Sequence, residues 1–190
     1  IAAGKRNDPD ELRAMLQASL PVSPQALEDW QAVVIGGGVI NGLSQTGIYP
    51  GPRIAEIIAS DGNLTERWTR SLELAAEMAD QETTPQGTRY DALRMLALLP
   101  WSSSREPLLR YLQPGVPHEL QMGAVSGLVD VPHEEAALEL HQALGHLAED
   151  LRGLAVDGLT RPAATAGLRA ALDSGKLKQE AVHPAVRERL

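Results

Sequence analysis

The sequence contains no cysteine and no phenylalanine. Without Cys, this stretch cannot form disulfides, thiolate metal sites or covalent haem attachments, and the redox compartment stays open. Aromatics are scarce overall, at three Trp and three Tyr. The core must therefore be built from Leu, Ala, Val and Ile, which suits close-packed helices better than sheets. No apolar run approaches the ~18 residues of a transmembrane helix, so no membrane insertion is expected. Positive charge is short too: 17 Lys and Arg stand against 25 Asp and Glu, a net charge of −8. The cations are scattered, and gripping a phosphate backbone needs them clustered, so no nucleic-acid partner is expected. There is no signal peptide, and the chain begins at Ile1 rather than Met. We read it as a piece of a longer protein, so its localisation does not follow from a missing leader.

What is present is a regular array. Hydrophobic residues make up 43% of 190 positions, enough for one domain or one continuous stack of repeats. Three segments share a pattern: Arg89 to Pro100, Leu120 to Pro132 and Leu151 to Pro162. Ala92–Leu93, Ala124–Val125 and Ala155–Val156 align, and Leu96, Leu128 and Leu159 follow each pair at the same distance. The steps from Ala92 to Ala124 to Ala155 are 32 and 31 residues. A fixed period in this range signals stacked helical hairpins. Each hairpin alone exposes an apolar face, and its neighbours bury it. We therefore expect one helical-repeat domain over 1–190. Residues 1–82 form less regular helices, 83–175 the regular repeats, and 176–190 a tail leading to a further domain.

Local signals place the helices. Asp8-Pro9-Asp10-Glu11 starts one that runs to about Leu20. Ser23-Pro24 opens a second from Gln25 to Gln45, stopped before Tyr49-Pro50-Gly51-Pro52. A short helix follows from Arg53 to Ala59. Asn63 with Glu66 reads as a capping box for a helix ending near Gln81, and Ser103 with Glu106 as another. Pro117 starts a helix to Val131, and Gly175 ends the last clear one as a left-handed cap. Gly123, Gly127 and Gly158 lie inside helical patterns, where Gly costs ~1 kcal/mol relative to Ala. Close approach of a neighbouring helix is the explanation we expect.

The strongest chemical motif is Ala32 to Leu43, AVVIGGGVINGL. An apolar strand leading into GxGxxG would cradle a pyrophosphate on the backbone amides of a helix start. Gly36 and Gly38 fit that motif, but Asn41 stands where the third glycine belongs. The upstream residues read as helix, and the ribose-binding acid is missing. Gly38 to Leu43 also aligns with Gly123 to Leu128, a segment with no claim on nucleotides. Helix packing is thus the first reading, and a nucleotide- or flavin-binding oxidoreductase fragment using Gly36 and Gly38 the alternative. His118-Glu119 and His133-Glu134 begin like HExxH, yet Met122 and Ala137 stand at the second His position. Ser126 lacks the strand and the GxSxG pattern of a nucleophile elbow. Glu134-Glu135 and Glu149-Asp150 read as solvated first turns, and Trp30, Trp68 and Trp101 as wedges between repeats. We assign no catalytic, cofactor-binding or metal-ligating residue, and no cofactor to this segment.

Several stretches together resemble a HEAT-type, armadillo-like segment. They are Trp30 to Leu43, Leu96 to Pro100 with Pro107-Leu108-Leu109, Pro117 to Gln121, Gly167 to Leu177, and His183 to Arg189. More narrowly, they resemble the helical repeats of large multidomain planctomycete-type proteins, in which a membrane-bound-dehydrogenase-like β-propeller precedes the repeats and a c-type haem-binding cytochrome domain follows them. The resemblance implies an all-α fold, a right-handed α-α superhelix of stacked hairpins. It also implies an exported, periplasmic-type parent with an electron-transfer role, and a non-enzymatic scaffold, spacer or docking segment here. Its partner would be a protein or a neighbouring domain of the same chain.

Overall fold

Short polar side chains and prolines set the helix starts. The computed structural model describes residues 1–190, and every regular element in it is helical. Helix α1 (Ala2–Arg6) turns at Asn7, whose φ of 52° is left-handed. Asp8 then caps α2 (Pro9–Ser19), accepting the Glu11 N–H at 2.8 Å, as its sequence predicts.

The next helix departs from expectation. It starts at Asp29 rather than Gln25, where the Gln31 Oε1 reaches back to the Glu28 N–H at 2.6 Å. Helix α3 (Asp29–Ala32) runs into a π-helical stretch, Val33–Ile40, and then α4 (Asn41–Gln45). The Pro50-Gly51-Pro52 break is itself the first turn of α5 (Pro50–Ile58), because Pro is pre-set for that position. Helix α6 (Gly62–Asp80) is capped by Asp61, not Asn63: its carboxylate accepts the Leu64 N–H at 3.0 Å. Helix α7 spans Gln86–Leu96. Helix α8 (Trp101–Tyr111) begins directly after Pro100, so Ser103 and Glu106 lie inside it instead of capping it.

The remaining helices are α9 (His118–Val129), α10 (Glu134–Ala143), α11 (Glu149–Leu159) and α12 (Pro162–Asp173). Gly175, at φ 73°, turns the chain into a 3-10 turn, Gln179–Ala181, and a short α13 (Pro184–Arg187).

The π-helical stretch lies against α7, α7 against α9, and α9 against α11; α8 and α12 both lie against α10. The apolar side chains form one continuous core from Ala3 to Val186. Side-chain bonds between alternate helices recur at 30 to 36 residues. Examples are Tyr111 to Asp80, Trp101 to Glu135, Arg105 to Glu139 and His118 to Asp150.

The aligned glycines do the same job at each step. A Cβ on Gly42 would meet Gly4 Cα at 2.7 Å, one on Gly127 would meet Ala97 Cβ at 2.9 Å, and one on Gly158 would meet Val129 Cγ1 at 2.9 Å. Each glycine lets an earlier helix of the chain approach more closely than a side chain allows.

The tail is held by a histidine. His141 on α10 is buried, and its Nε2 accepts the backbone N–H of His183 at 3.1 Å. Burial, and then His183, push the His141 pKa below its ordinary 6.5. The folded form therefore favours the neutral ring that can accept this bond. Docking of the tail should be complete above the ordinary histidine range and weaken as pH falls below it. Hydrogen exchange at residues 177–187 is expected to be faster at pH 5 than at pH 7.5. Equal rates after correction for intrinsic exchange would count against this account.

Candidate functional site

One concavity lies across the face shared by α4, α7, α9 and α11. Beneath it, enclosed by residues that line it, lies Asp130, which ends α9. Asp130 is buried and takes three donors: Ser44 Oγ at 2.6 Å, Arg94 Nη2 at 2.7 Å and Arg161 Nη1 at 3.0 Å. Arg161 also donates to the carbonyls of Val129 (3.0 Å) and Gly47 (3.3 Å), and its guanidinium lies 4.0 Å from the centre of the Tyr49 ring. The Val129 carbonyl is one of the last on α9 and lacks an onward helical partner, so Arg161 closes that helix end.

Above this cluster is a groove of about 560 Å³. Arg94 and Arg161 line it with the half-buried Tyr90, Met122, Val129 and Leu154, and with Asn41, Ser44 and Ser126. Asp157 stands exposed at its rim.

One turn before Arg94, Asp91 is buried against the glycine face of the π-helical stretch. A Cβ on Gly36 would meet the Asp91 carbonyl oxygen at 2.8 Å, and one on Gly37 would meet its carboxylate at 3.0 Å. The consecutive glycines thus admit α7. Burial raises the Asp91 pKa from 3.8 to about 7, with Arg94 opposing and Glu119 adding to the rise. The folded chain therefore binds more protons than the unfolded chain between those values. This contribution to stability is complete below pH 3.8 and is lost as pH rises through 7. Asp91→Asn removes it. The variant is expected to gain on the order of 2 kcal/mol over the parent between pH 5 and pH 8 in urea denaturation. A difference independent of pH would refute the assignment.

The sequence motifs fall as follows. Gly36 and Gly38 sit in the π-helical stretch, with helix before and after instead of a strand and turn. His118 is exposed and pairs with Asp150 at 2.9 Å. His133 caps α10, its Nδ1 accepting the Glu135 N–H at 3.2 Å. No three His, Asp or Glu side chains converge on a metal-sized site. Ser126 lies on α9 at the groove wall. Trp101 bridges α8 to α10 as a wedge, stacked on His133 with centroids 5.4 Å apart and donating to Glu135 at 2.9 Å. Trp68 is buried, whereas Trp30 is 54% exposed.

The Arg94, Asp130, Arg161 and Ser44 cluster does not emerge from the motif reading. Its signal is a charged residue inside an apolar stretch, Ala92-Leu93-Arg94-Met95-Leu96-Ala97-Leu98. A charge with apolar neighbours on every side must be paired when buried.

The fold defines an all-α protein, and none of its helices is long and apolar enough to cross a membrane. No family model, curated protein or solved structure matches the chain.

Proposed function

We propose that this chain is a non-enzymatic helical-repeat scaffold that docks a protein partner, or a neighbouring domain of its own polypeptide, in the groove between α4 and α11. The observation that carries the reading is the groove itself. It spans Asn41 to Arg161, is walled by four helices, and combines half-buried apolar side chains with polar ones. Stacked repeats commonly recognise partners along such an extended surface.

In this reading α7 to α12 are three hairpins of a right-handed, HEAT-type α-solenoid. The 31- and 32-residue sequence steps and the side-chain bonds at matching separations support it. The resemblance adds a parent: an exported redox protein in which this piece positions a c-type cytochrome domain. That parent predicts a CxxCH haem-attachment motif in the reading frame shortly after Leu190.

Docking is tested by hydrogen exchange on the chain alone and within the longer protein. Slower exchange at residues 41–47, 122–129 and 154–161 in the longer protein is expected. Unchanged exchange across all three would sink docking of a neighbouring domain and leave the groove only to a separate partner. The alternative, nucleotide or flavin binding at Gly36 and Gly38, has no geometric feature in its favour. It would require flavin absorbance, or a saturable nucleotide titration, in the purified protein.

A further inference from the structure

The groove floor is short of hydrogen-bond acceptors. Arg94 carries five N–H donors and is only 2% exposed. One of them is used, from Nη2 to Asp130. The Nε is buried with no partner, and Nη1 makes no hydrogen bond. Asp130 already takes three donors and is shared with Arg161, whose own Nε is also buried without a partner. Asp91, the other carboxylate near Arg94, makes no hydrogen bond to it, and burial holds that acid toward its neutral form. Two guanidinium groups therefore face one fully engaged carboxylate, a local excess of positive charge in a chain of net −8. Asp157 sits at the rim, exposed to solvent, where its charge is screened. The walls beside Arg94 are apolar, formed by Met122, Val129 and Leu154.

We propose that the groove recognises an acidic protein segment, seating one Asp or Glu carboxylate at the Arg94 Nη1, the unpaired nitrogen that is not enclosed, and the flanking apolar side chains against Met122, Val129 and Leu154. The inference rests on the docking reading above and gives its partner a chemistry. A carboxylate oxygen accepting from Nη1 makes a charge-assisted bond, roughly twice as strong as a neutral one. The apolar walls favour a segment in which acids alternate with aliphatic residues over a fully acidic one. Placing the charge at the floor also sets the register of the bound segment.

The test uses the isotopically labelled chain and three probes. They are a capped pentapeptide alternating Leu and Glu, its counterpart with Gln in place of Glu, and inorganic phosphate. The acidic peptide is expected to shift the Arg94 Nε–H resonance together with the amides of Ser126 and Asp157. It should bind roughly tenfold more tightly than the Gln peptide, as the loss of one charged hydrogen-bonded contact implies. Arg94→Gln should abolish that preference. Equal binding of the two peptides in the groove would overturn the acidic partner while leaving docking intact. Shifts with phosphate but with neither peptide would make this a small-anion pocket and overturn the segment. Absence of any shift at Arg94 would overturn the site. Should Arg94→Gln not fold, the Arg94 Nε–H signal in the unchanged protein decides alone.

Discussion

Asp130→Ala is expected to lower stability by about 3–5 kcal/mol, the cost of removing one partner from a buried ion cluster. Urea or guanidinium denaturation at pH 7 reads it directly. The reason is what remains. Arg94 and Arg161 are both largely buried and both turn to the same carboxylate, so its loss leaves two guanidinium groups with no hydrogen-bonded carboxylate. Ser44→Ala removes only a hydroxyl donor to that carboxylate and is expected to cost about 1 kcal/mol. A double-mutant cycle between Asp130→Ala and Arg161→Ala should be strongly non-additive, because the second change removes one of the stranded charges. A loss below about 1 kcal/mol for Asp130→Ala would mean that water reaches the cluster and satisfies it, contrary to its burial.

The second large effect concerns the glycine run. Gly36→Leu is expected to cost about 3 kcal/mol, at the upper end for overpacking. Its Cβ alone would stand 2.8 Å from the Asp91 carbonyl oxygen and 3.2 Å from the carbonyl carbon, both backbone atoms of α7 that cannot swing aside. Gly37→Ala is the control. Its Cβ meets the Asp91 carboxylate, a movable group, and it gains up to about 1 kcal/mol of helix propensity, so it should be near neutral. Thermal or chemical denaturation of the pair separates the two cases. If Gly36→Leu were stable and lost affinity for a nucleotide, the packing explanation would fail and the glycine motif would regain its chemical reading.

Much of the helix order is legible in the residues. Asp8, Pro9 and Glu11 mark a helix start because the cap is local, made by a side chain three residues from the N–H it accepts. Where two capping residues compete, the sequence does not choose. Asp61 and Asn63 are both good caps, and Asp61 wins where the chain turns out of α5. Prolines 100 and 117 stop the preceding turn and start the next helix, which displaces Ser103 into the interior of α8. The π-helical stretch is invisible to a search for 3.6-residue periodicity. Its apolar residues follow no single face, and glycines 36 to 38 give the pattern no side chains to read. The three glycines that align in sequence, Gly42, Gly127 and Gly158, each stand at a close helix approach, where a side chain would clash.

The groove floor was hidden for a different reason. Helix α7 is packed between α6, α9 and the π-helical stretch, so residues 91–97 are all buried. Amphipathic reasoning looks for one apolar stripe and assigns Asp91 and Arg94 to a solvated face. On a helix covered on several sides no such face exists at that level. Pairing Asp130 with Arg94 and Arg161 then depends on contacts 36 and 31 residues apart in sequence, which no local pattern encodes.

The bond from Arg161 to the Gly47 carbonyl joins positions 114 residues apart. A stack of repeats that touch only their nearest neighbours can lose end units one at a time, and its folding can begin anywhere along the array. Here the end of α11 is clasped to the turn after α4, with Tyr49 and Ser44 drawn into the same knot. Losing the helices around Arg161 therefore also removes a hydrogen bond and a cation–π contact from the turn after α4. The closing loop raises contact order, which slows folding and favours loss of structure in one concerted step over fraying from the C-terminal end.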